Sequence, residues 1–218
     1  MKLSVIITAG GASVRYGKDK LLELINGKTV IERSVNAFLP IKPDEIIIAA
    51  SEKLEGEIKD KFLSVKNLRI VRGGKTRQES VFNALKACST PDFVCIHDAA
   101  RPLVKLENIE NCLKKAMEKG AAITAVKATD TIKKVDDTGK IIETPDRDTL
   151  WCVQTPQIFS YKTIFAAHER LFGKSFSDDA GMLEFLGFPV YIDEGDYSNI
   201  KITTPKDILL AELLLNRE

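Results

Sequence analysis

The sequence predicts an α/β protein: a mostly parallel sheet wound with helices on both faces. Three observations predict it. Short β-branched runs alternate with amphipathic helical patterns along most of the chain. Glycine pairs follow two of the strand patterns, Gly10-Gly11 after the first strand and Gly73-Gly74 between a strand and a helix. The length of 218 residues, with 44% hydrophobic and 29% charged side chains, suits one α/β domain with some elaboration and a core that needs no staple.

The elements follow in order. Leu3–Thr8 reads as the first strand, Thr29–Leu39 as a helix and Glu45–Ala50 as the next strand. Leu68–Val71 is a further strand. It leads into a helix over Arg77–Ala87, where Val81, Ala84, Leu85 and Cys88 repeat at helical spacing. Phe93–His97 is a strand. The helix Glu107–Lys119 gathers Leu106, Ile109, Leu113, Ala116 and Met117 on one face and stops at Gly120, a C′ glycine. Ala121–Val126 is a strand again, so the winding is a Rossmann-like three-layer one. The rhythm breaks at residues 127–150, where TIKKV, Asp136-Asp137-Thr138-Gly139 and KIIET predict an inserted β-hairpin. A lid, a dimerisation arm and a decorative insertion are all compatible with that pattern. Regular structure resumes at Trp151–Gln154. Helices follow at Tyr161–Leu171 and Asp178–Leu186, then strands at Val190–Asp193 and Ile200–Thr203. A helix over Pro205–Leu215 closes the chain, with Pro205 near N1 and a Thr203/Thr204 cap. No internal repeat or linker interrupts this, so residues 1–218 read as a single domain with an arm over about 127–150.

Composition excludes several classes. Lys and Arg total 32 against 31 Asp and Glu, a net charge of +1, which argues against a general binder of nucleic acid. An anionic ligand must then be held by a local cluster of cations. Cys88, Cys95, Cys112 and Cys152 show no C-x-x-C spacing and sit in mostly apolar surroundings, as reduced, packed thiols of a cytoplasmic protein. Two histidines, His97 and His168, leave no room for a multi-histidine metal site. The apolar run of MKLSVIITAGG is too short for a signal or a membrane span.

Five segments carry chemistry. The first strand runs into Thr8-Ala9-Gly10-Gly11 and on to Arg15, Gly17, Lys18 and Lys20, where small residues let backbone N–H groups approach phosphate oxygens. The spacing fits neither a Walker loop nor a G-x-G-x-x-G dinucleotide loop. A glycine-rich turn with incidental cations is the alternative. Gly73-Gly74-Lys75-Thr76-Arg77-Gln78-Glu79-Ser80 is a second such turn; Ser80, near the first helical turn, can hydrogen-bond a base or sugar, or Thr76 can simply cap a helix. His97-Asp98-Ala99-Ala100-Arg101-Pro102 ends a buried strand. Asp98 stands there where a nucleotidyl-transfer site presents an oxygen ligand to Mg²⁺, unless it forms a plain Asp–Arg surface pair. His97 reads as a satisfied structural residue. Arg147-Asp148 with Gln154-Thr155-Pro156-Gln157 follows the hairpin, and Asn199–Thr203 precedes the last helix.

Taken together and in order, TAGG…R…K, GGKTRQESV, HDAARP, DT-IK, R-x-x-L-W-x-x-QTPQ-F, S-D-D and NIKITTP-x-D resemble the methylerythritol-phosphate cytidylyltransferases of non-mevalonate isoprenoid synthesis, from Thr8 to Asp207. In that family the first loop commonly continues to a Pro-Lys pair. Here Asp19 stands in place of Pro, and Lys20, with Lys18 as rival, matches the lysine; Ser177 stands where Thr is common. The resemblance implies transfer of CMP from CTP to a sugar-alcohol phosphate, with Mg²⁺ as the cofactor. It implies that Arg15, Lys20, Arg147 and Lys201 serve catalysis and that Asp98 holds the metal or the substrate. Ala9, Gly10, Gly11, Gly73, Gly74, Ser80, Asp98 and Ala99 would cradle the nucleotide. Asp98, Arg101, Arg147, Thr155, Ser177 and Lys201 would bind the second substrate. It also implies a homodimer clasped by the hairpin as a dimerisation arm, with Arg147 serving the neighbour's site, and no nucleic-acid or membrane partner. A ribitol 5-phosphate cytidylyltransferase is the alternative within the superfamily, and a noncatalytic nucleotide-binding module the alternative outside it.

Overall fold

A computed structural model describes residues 1–10 and 19–216. Gly11, Arg15, Gly17 and Lys18 lie outside them. The strands are β1 (Leu3–Ala9), β2 (Leu24–Ile25), β3 (Lys28–Thr29), β4 (Glu45–Ala50), β5 (Leu68–Arg72), β6 (Phe93–Asp98), β7 (Ala121–Lys127), β8 (Lys134–Val135), β9 (Ile141–Glu143), β10 (Trp151–Ser160) and β11 (Tyr191–Glu194). The helices are α1 (Val30–Asn36), α2 (Glu52–Ile58), α3 (Arg77–Ala87), α4 (Leu106–Lys119), α5 (Tyr161–Arg170), α6 (Asp179–Phe185) and α7 (Pro205–Leu215).

Seven strands form the main sheet in the order β11-β7-β10-β6-β1-β4-β5. All pairings are parallel except those of β10, which runs antiparallel to both β6 and β7. The register sets Thr8 beside Asp98 and Ala9 beside Ala50, so β1, β4 and β6 end together at one edge of the sheet. Alternate residues of β1 feed two cores. Val5 and Ile7 pack with Ile31, Leu54, Ile109 and Ala211 of α1, α2, α4 and α7, whereas Ile6 packs with Val81, Leu85, Ile164 and Leu183 of α3, α5 and α6. The predicted three-layer winding is thus the observed one.

Local chemistry sets the element ends. Thr29 and Glu32 close a capping box on α1, and Thr204 with Asp207 does the same on α7, with Pro205 at N1. Gly120 ends α4 in the left-handed region, at φ +89°. Asp19 accepts from the Leu21 N–H (3.2 Å) and so caps the 3₁₀ turn Lys20–Leu22, a use for the carboxylate that replaces proline there.

Some expectations are corrected. The predicted helix Thr29–Leu39 ends at Asn36, and a separate 3₁₀ turn covers Leu39–Ile41. The regular structure expected at Trp151–Gln154 is a strand that continues to Ser160, because Gln157–Ser160 pair with β6 and Gln157–Phe159 with β7. Ile200–Thr203 is not a strand: Ile202 donates one bond to the Ala100 carbonyl (2.8 Å) and buries its side chain, but no ladder forms. Helix α2, capped by Ser51, and the β2–β3 ribbon were not expected. Cys88, Cys95 and Cys112 are buried free thiols as anticipated. Cys152 is exposed: this stretch of β10 pairs with β7 alone, β6 joining only from Gln157, and both Cys152 and Val153 are exposed. No described helix is long and apolar enough to cross a membrane.

The inserted hairpin is real but short, β8 against β9 around a turn in which Asp136 Oδ1 accepts from the N–H groups of Thr138 and Lys140. It exposes Ile132, Val135, Ile141 and Ile142.

The helix-ending glycine makes one stability prediction. Gly120→Ala should cost about 1 kcal/mol, since an L side chain is strained at positive φ. A lower urea midpoint at unchanged m-value would show it; an unchanged midpoint would refute it.

Candidate active site

Two glycine turns meet at the sheet edge. A Cβ on Gly10 would lie 2.7 Å from Ser80 Oγ, and one on Gly73 would lie 3.1 Å from the same oxygen and 3.3 Å from the Ala50 carbonyl. A Cβ on Gly74 would overlap Glu79. Only glycine lets these turns close on α3. Thr76 caps that helix by accepting from the Glu79 N–H at 3.1 Å. Ser80 is fully buried; its hydroxyl donates to the Thr76 carbonyl (2.9 Å) and accepts from the Gly74 N–H (3.0 Å). Ser80 is therefore the peg between the two turns rather than a free polar group. Ala9 and Ala99 are buried beside it, and the Ala99 N–H donates to the Thr8 carbonyl (3.1 Å).

Asp98 ends β6 and is 7% exposed. Its Oδ1 accepts from Arg77 Nε (3.1 Å) and Thr8 Oγ1 (3.2 Å), and its Oδ2 accepts from Lys201 Nζ (2.7 Å). Burial alone would raise its pKa, but the cations of Arg77 and Lys201 hold the carboxyl well below the usual range. Asp98 stays ionised at any working pH. A plain Asp98–Arg101 pair does not form: Arg101 donates to the carbonyls of Asn199 (2.7 Å) and Val153 (3.4 Å).

Beyond Asp98 lies a cleft of about 400 Å³. Five sequence-predicted residues line it: Asp98, Arg101, Thr155, Ser177 and Lys201. They come from β6, the turn after it, β10, the loop before α6 and the loop before α7. Arg77, Arg101 and Lys201 line this space together with Asp98, Asp178 and Glu184, so three cations are gathered here and three carboxylates offset them in formal charge. Ser177 is exposed to the cleft. Thr155 lies in its floor, with its hydroxyl already accepting from the Asp98 N–H (3.1 Å) and 2.9 Å from His97 Nδ1.

Other expectations fall elsewhere. Arg147 stands on the 3₁₀ turn Arg147–Thr149 at the base of the hairpin, exposed, and donates to the Thr129 carbonyl (3.2 Å). It does not line the cleft of its own chain. Lys20 is half-buried at the start of its turn. Gly11 and Arg15 lie outside the described residues. The sequence held Arg77, Asp179 and Gln157 within its motifs but assigned them no role. Arg77 bridges Asp98 and Asp179, and Gln157 donates to Asp178 (2.8 Å) at the N-terminus of α6. A signal existed: a cation in the first turn of a helix opposes the helix dipole and asks for a reason.

Magnesium needs few protein ligands where phosphates complete its shell. Among the described residues no cluster of three or more metal-ligating side chains occurs. The carboxylate of Asp98 suits a phosphate-completed site: its three hydrogen bonds leave one of its roughly four lone-pair positions open, on Oδ2.

His97 is the buried pivot of this region, as the sequence suggested. Its Nε2 lies 3.0 Å from the Arg101 carbonyl, which can only accept, so Nε2 carries the proton and Nδ1 accepts from Thr155. Burial pushes its pKa down from 6.5 to about 4. Below pH 6.5 the unfolded chain takes up a proton that the folded chain refuses. Stability at this residue is thus complete above pH 6.5 and drains away as pH falls toward about 4, by up to about 3 kcal/mol. Urea unfolding between pH 7 and 4.5 should show that loss, and His97→Gln should flatten it; an equally steep loss in the variant would refute the assignment.

The chain is similar to known proteins along nearly its whole length. Residues 3–217 match the family model described as 2-C-methyl-D-erythritol 4-phosphate cytidylyltransferase. A protein of that name from Dictyoglomus thermophilum is 43% identical over 226 residues, covering 99% of this chain and 97% of its own. The Caldanaerobacter subterraneus protein of the same name is 41% identical, with full coverage of both. Among solved structures, the 4-diphosphocytidyl-2C-methyl-D-erythritol synthase from Anaerococcus prevotii superposes with a TM-score of 0.89 at 34% identity, over 99% of this chain and 96% of that one. The cytidylyltransferase from Thermus thermophilus gives 0.83 at 32% identity, over 99% of this chain and 100% of its own. With the strand-end cleft, the paired glycine turns and the whole-length match together, this chain belongs to the 2-C-methyl-D-erythritol 4-phosphate cytidylyltransferase family.

Proposed function

We propose that the chain transfers the cytidylyl group of CTP to 2-C-methyl-D-erythritol 4-phosphate, giving 4-diphosphocytidyl-2-C-methyl-D-erythritol and pyrophosphate. One observation carries this reading. A chain that matches the family over residues 3–217 folds five of its motif residues from distant segments around one cleft beside a glycine cradle.

The chemistry is an in-line displacement. A phosphate oxygen of the alcohol phosphate bonds to the α-phosphorus of CTP, the bond from that phosphorus to the α,β-bridging oxygen breaks, and pyrophosphate leaves. The nucleophile is already an anion, so no enzyme base is required, which agrees with both histidines being buried. Catalysis is then positioning and charge stabilisation. Ala9, Gly10, Gly11, Gly73, Gly74 and Ala99 would cradle the nucleotide by backbone approach, with Ser80 holding the two turns in register. Arg15 and Lys20 would stabilise charge on the transferring phosphoryl group and on pyrophosphate. Arg101, Ser177 and Lys201 would hold the alcohol phosphate over the Thr155 floor. Asp98 would hold Mg²⁺, which when bound neutralises charge on the triphosphate.

A homodimer completes the proposal. The exposed apolar residues of the hairpin (Ile132, Val135, Ile141 and Ile142, 42–59% exposed) need cover, and Arg147 at its base would then serve the partner's cleft. The three buried free thiols fit a reducing, cytoplasmic compartment.

A panel of the two alcohol phosphates against each nucleoside triphosphate tests the reaction. Pyrophosphate release should require CTP and methylerythritol phosphate; activity with ribitol 5-phosphate alone would overturn the specificity. Lys20→Ala should lower kcat about 10²–10³-fold, as loss of one preorganised transition-state donor does. If Lys18→Ala is the crippling change, the lysine is misassigned. For the dimer, light scattering should give twice the chain mass. Mixing inactive Arg147→Ala and Lys20→Ala subunits should restore activity, because each mixed dimer holds one intact site. Absence of rescue in verified mixed dimers would show that the clefts are not shared.

A further inference from the structure

Arg77 stands where helix physics disfavours it. It is the first residue of α3, an end that attracts anions, and its side chain is only 28% exposed. It nevertheless makes ion pairs in two directions, from Nε to Asp98 Oδ1 (3.1 Å) and from Nη1 to Asp179 Oδ2 (2.7 Å). Asp179 opens α6 and is 1% exposed. Its other oxygen lies 3.3 Å from Nε2 of His168 on α5, and that ring stacks on Phe82 of α3 at 5.6 Å between centroids. Removing such charges from water is costly, and apolar replacements of the same size are often as stable. Stability alone is therefore a poor account of this network.

The contact with Asp98 is one-sided. A guanidinium free to choose commonly meets a carboxylate through two parallel hydrogen bonds. Arg77 meets Asp98 through Nε alone, and its Nη1 is taken by Asp179. Asp98 Oδ2 is left for Lys201 and for the cleft. Asp179 thus balances the charge of Arg77 and restrains its fork.

We propose that Arg77 and Asp179 form a positioning pair for the cytidylyl transfer: Asp179 holds the Arg77 guanidinium so that it orients Asp98 through one oxygen and leaves the other available to the cleft. Both act through Asp98, so they are positioning residues. The inference rests on the reading of Asp98 and Lys201 as parts of the active site. It adds the requirement that the cation at Arg77 be a planar fork whose Nε and Nη1 donors point in fixed directions at two carboxylates, a direction that the freely rotating donors of an ammonium do not fix.

The test compares Arg77→Lys, Asp179→Asn and the neutral double change Arg77→Gln/Asp179→Asn, with melting curves, kcat and KM for CTP measured on each. Asp179→Asn and Arg77→Lys should each lower kcat about 10–100-fold, the usual loss on removing an orienting partner of a site residue, with KM for CTP nearly unchanged. The double variant leaves no unpaired buried charge, so it keeps the test open if Asp179→Asn fails to fold. Its kcat should fall no further than that of a single variant, because the pair acts as a unit. Wild-type kcat in folded Arg77→Lys, or in the double variant, would overturn the proposal by reducing the network to a structural one. Multiplying losses in the double variant would overturn the pairing. Wild-type protein that fails to release pyrophosphate from CTP would instead sink the functional reading, so the two failures are told apart.

Discussion

The carboxylate of Asp98 is the point on which the site depends. It ends the central strand β6, and its neighbours bring Thr8 of β1, Arg77 of α3 and Lys201 of the loop before α7 to one place. Its N–H also donates to Thr155 of β10. Four other segments are thus tied to this residue of β6. A buried anion is tolerated only where opposite charge and hydrogen bonds satisfy it, so the folding of each segment is coupled to the others. The ionised state of Asp98 is a product of that assembly: burial pushes its pKa up and the two cations pull it further down.

The same assembly reconciles a nearly neutral chain with anionic substrates. A net charge of +1 supplies no long-range field. The fold instead gathers Arg77, Arg101 and Lys201 at one cleft and sets acidic groups among them. Arg101 is pinned by two carbonyls and His97 by a carbonyl and a hydroxyl, so the cations and the strand end are preorganised. Such preorganisation suits a reaction whose nucleophile needs no base.

Backbone approach does the rest. Gly10 and Gly73 close on Ser80 because neither has a Cβ, and the buried hydroxyl of Ser80 fills the seam. Glycine is needed here for closeness, not for a left-handed backbone, as neither residue has positive φ.

The sequence by itself determined the three-layer α/β winding, the bounds of β4, α3 and α7, and the helix stop at Gly120. These follow from periodicity, caps and glycine conformation, which act over a few residues. It also carried the motif residues that line the cleft. Only the tertiary structure decided the rest. The length of β10 depends on pairing with β6 and β7, and the Ile200–Thr203 segment, strand-like by composition, docks without a ladder. Arg77, unremarked within its motif, gains its part from Asp98 and Asp179, which lie 21 and 102 residues away. Arg147, prominent by motif, falls outside the cleft of its own chain. Local propensity is written in adjacent residues, whereas the pairing of charges depends on distances across the chain that exist only once the sheet has formed.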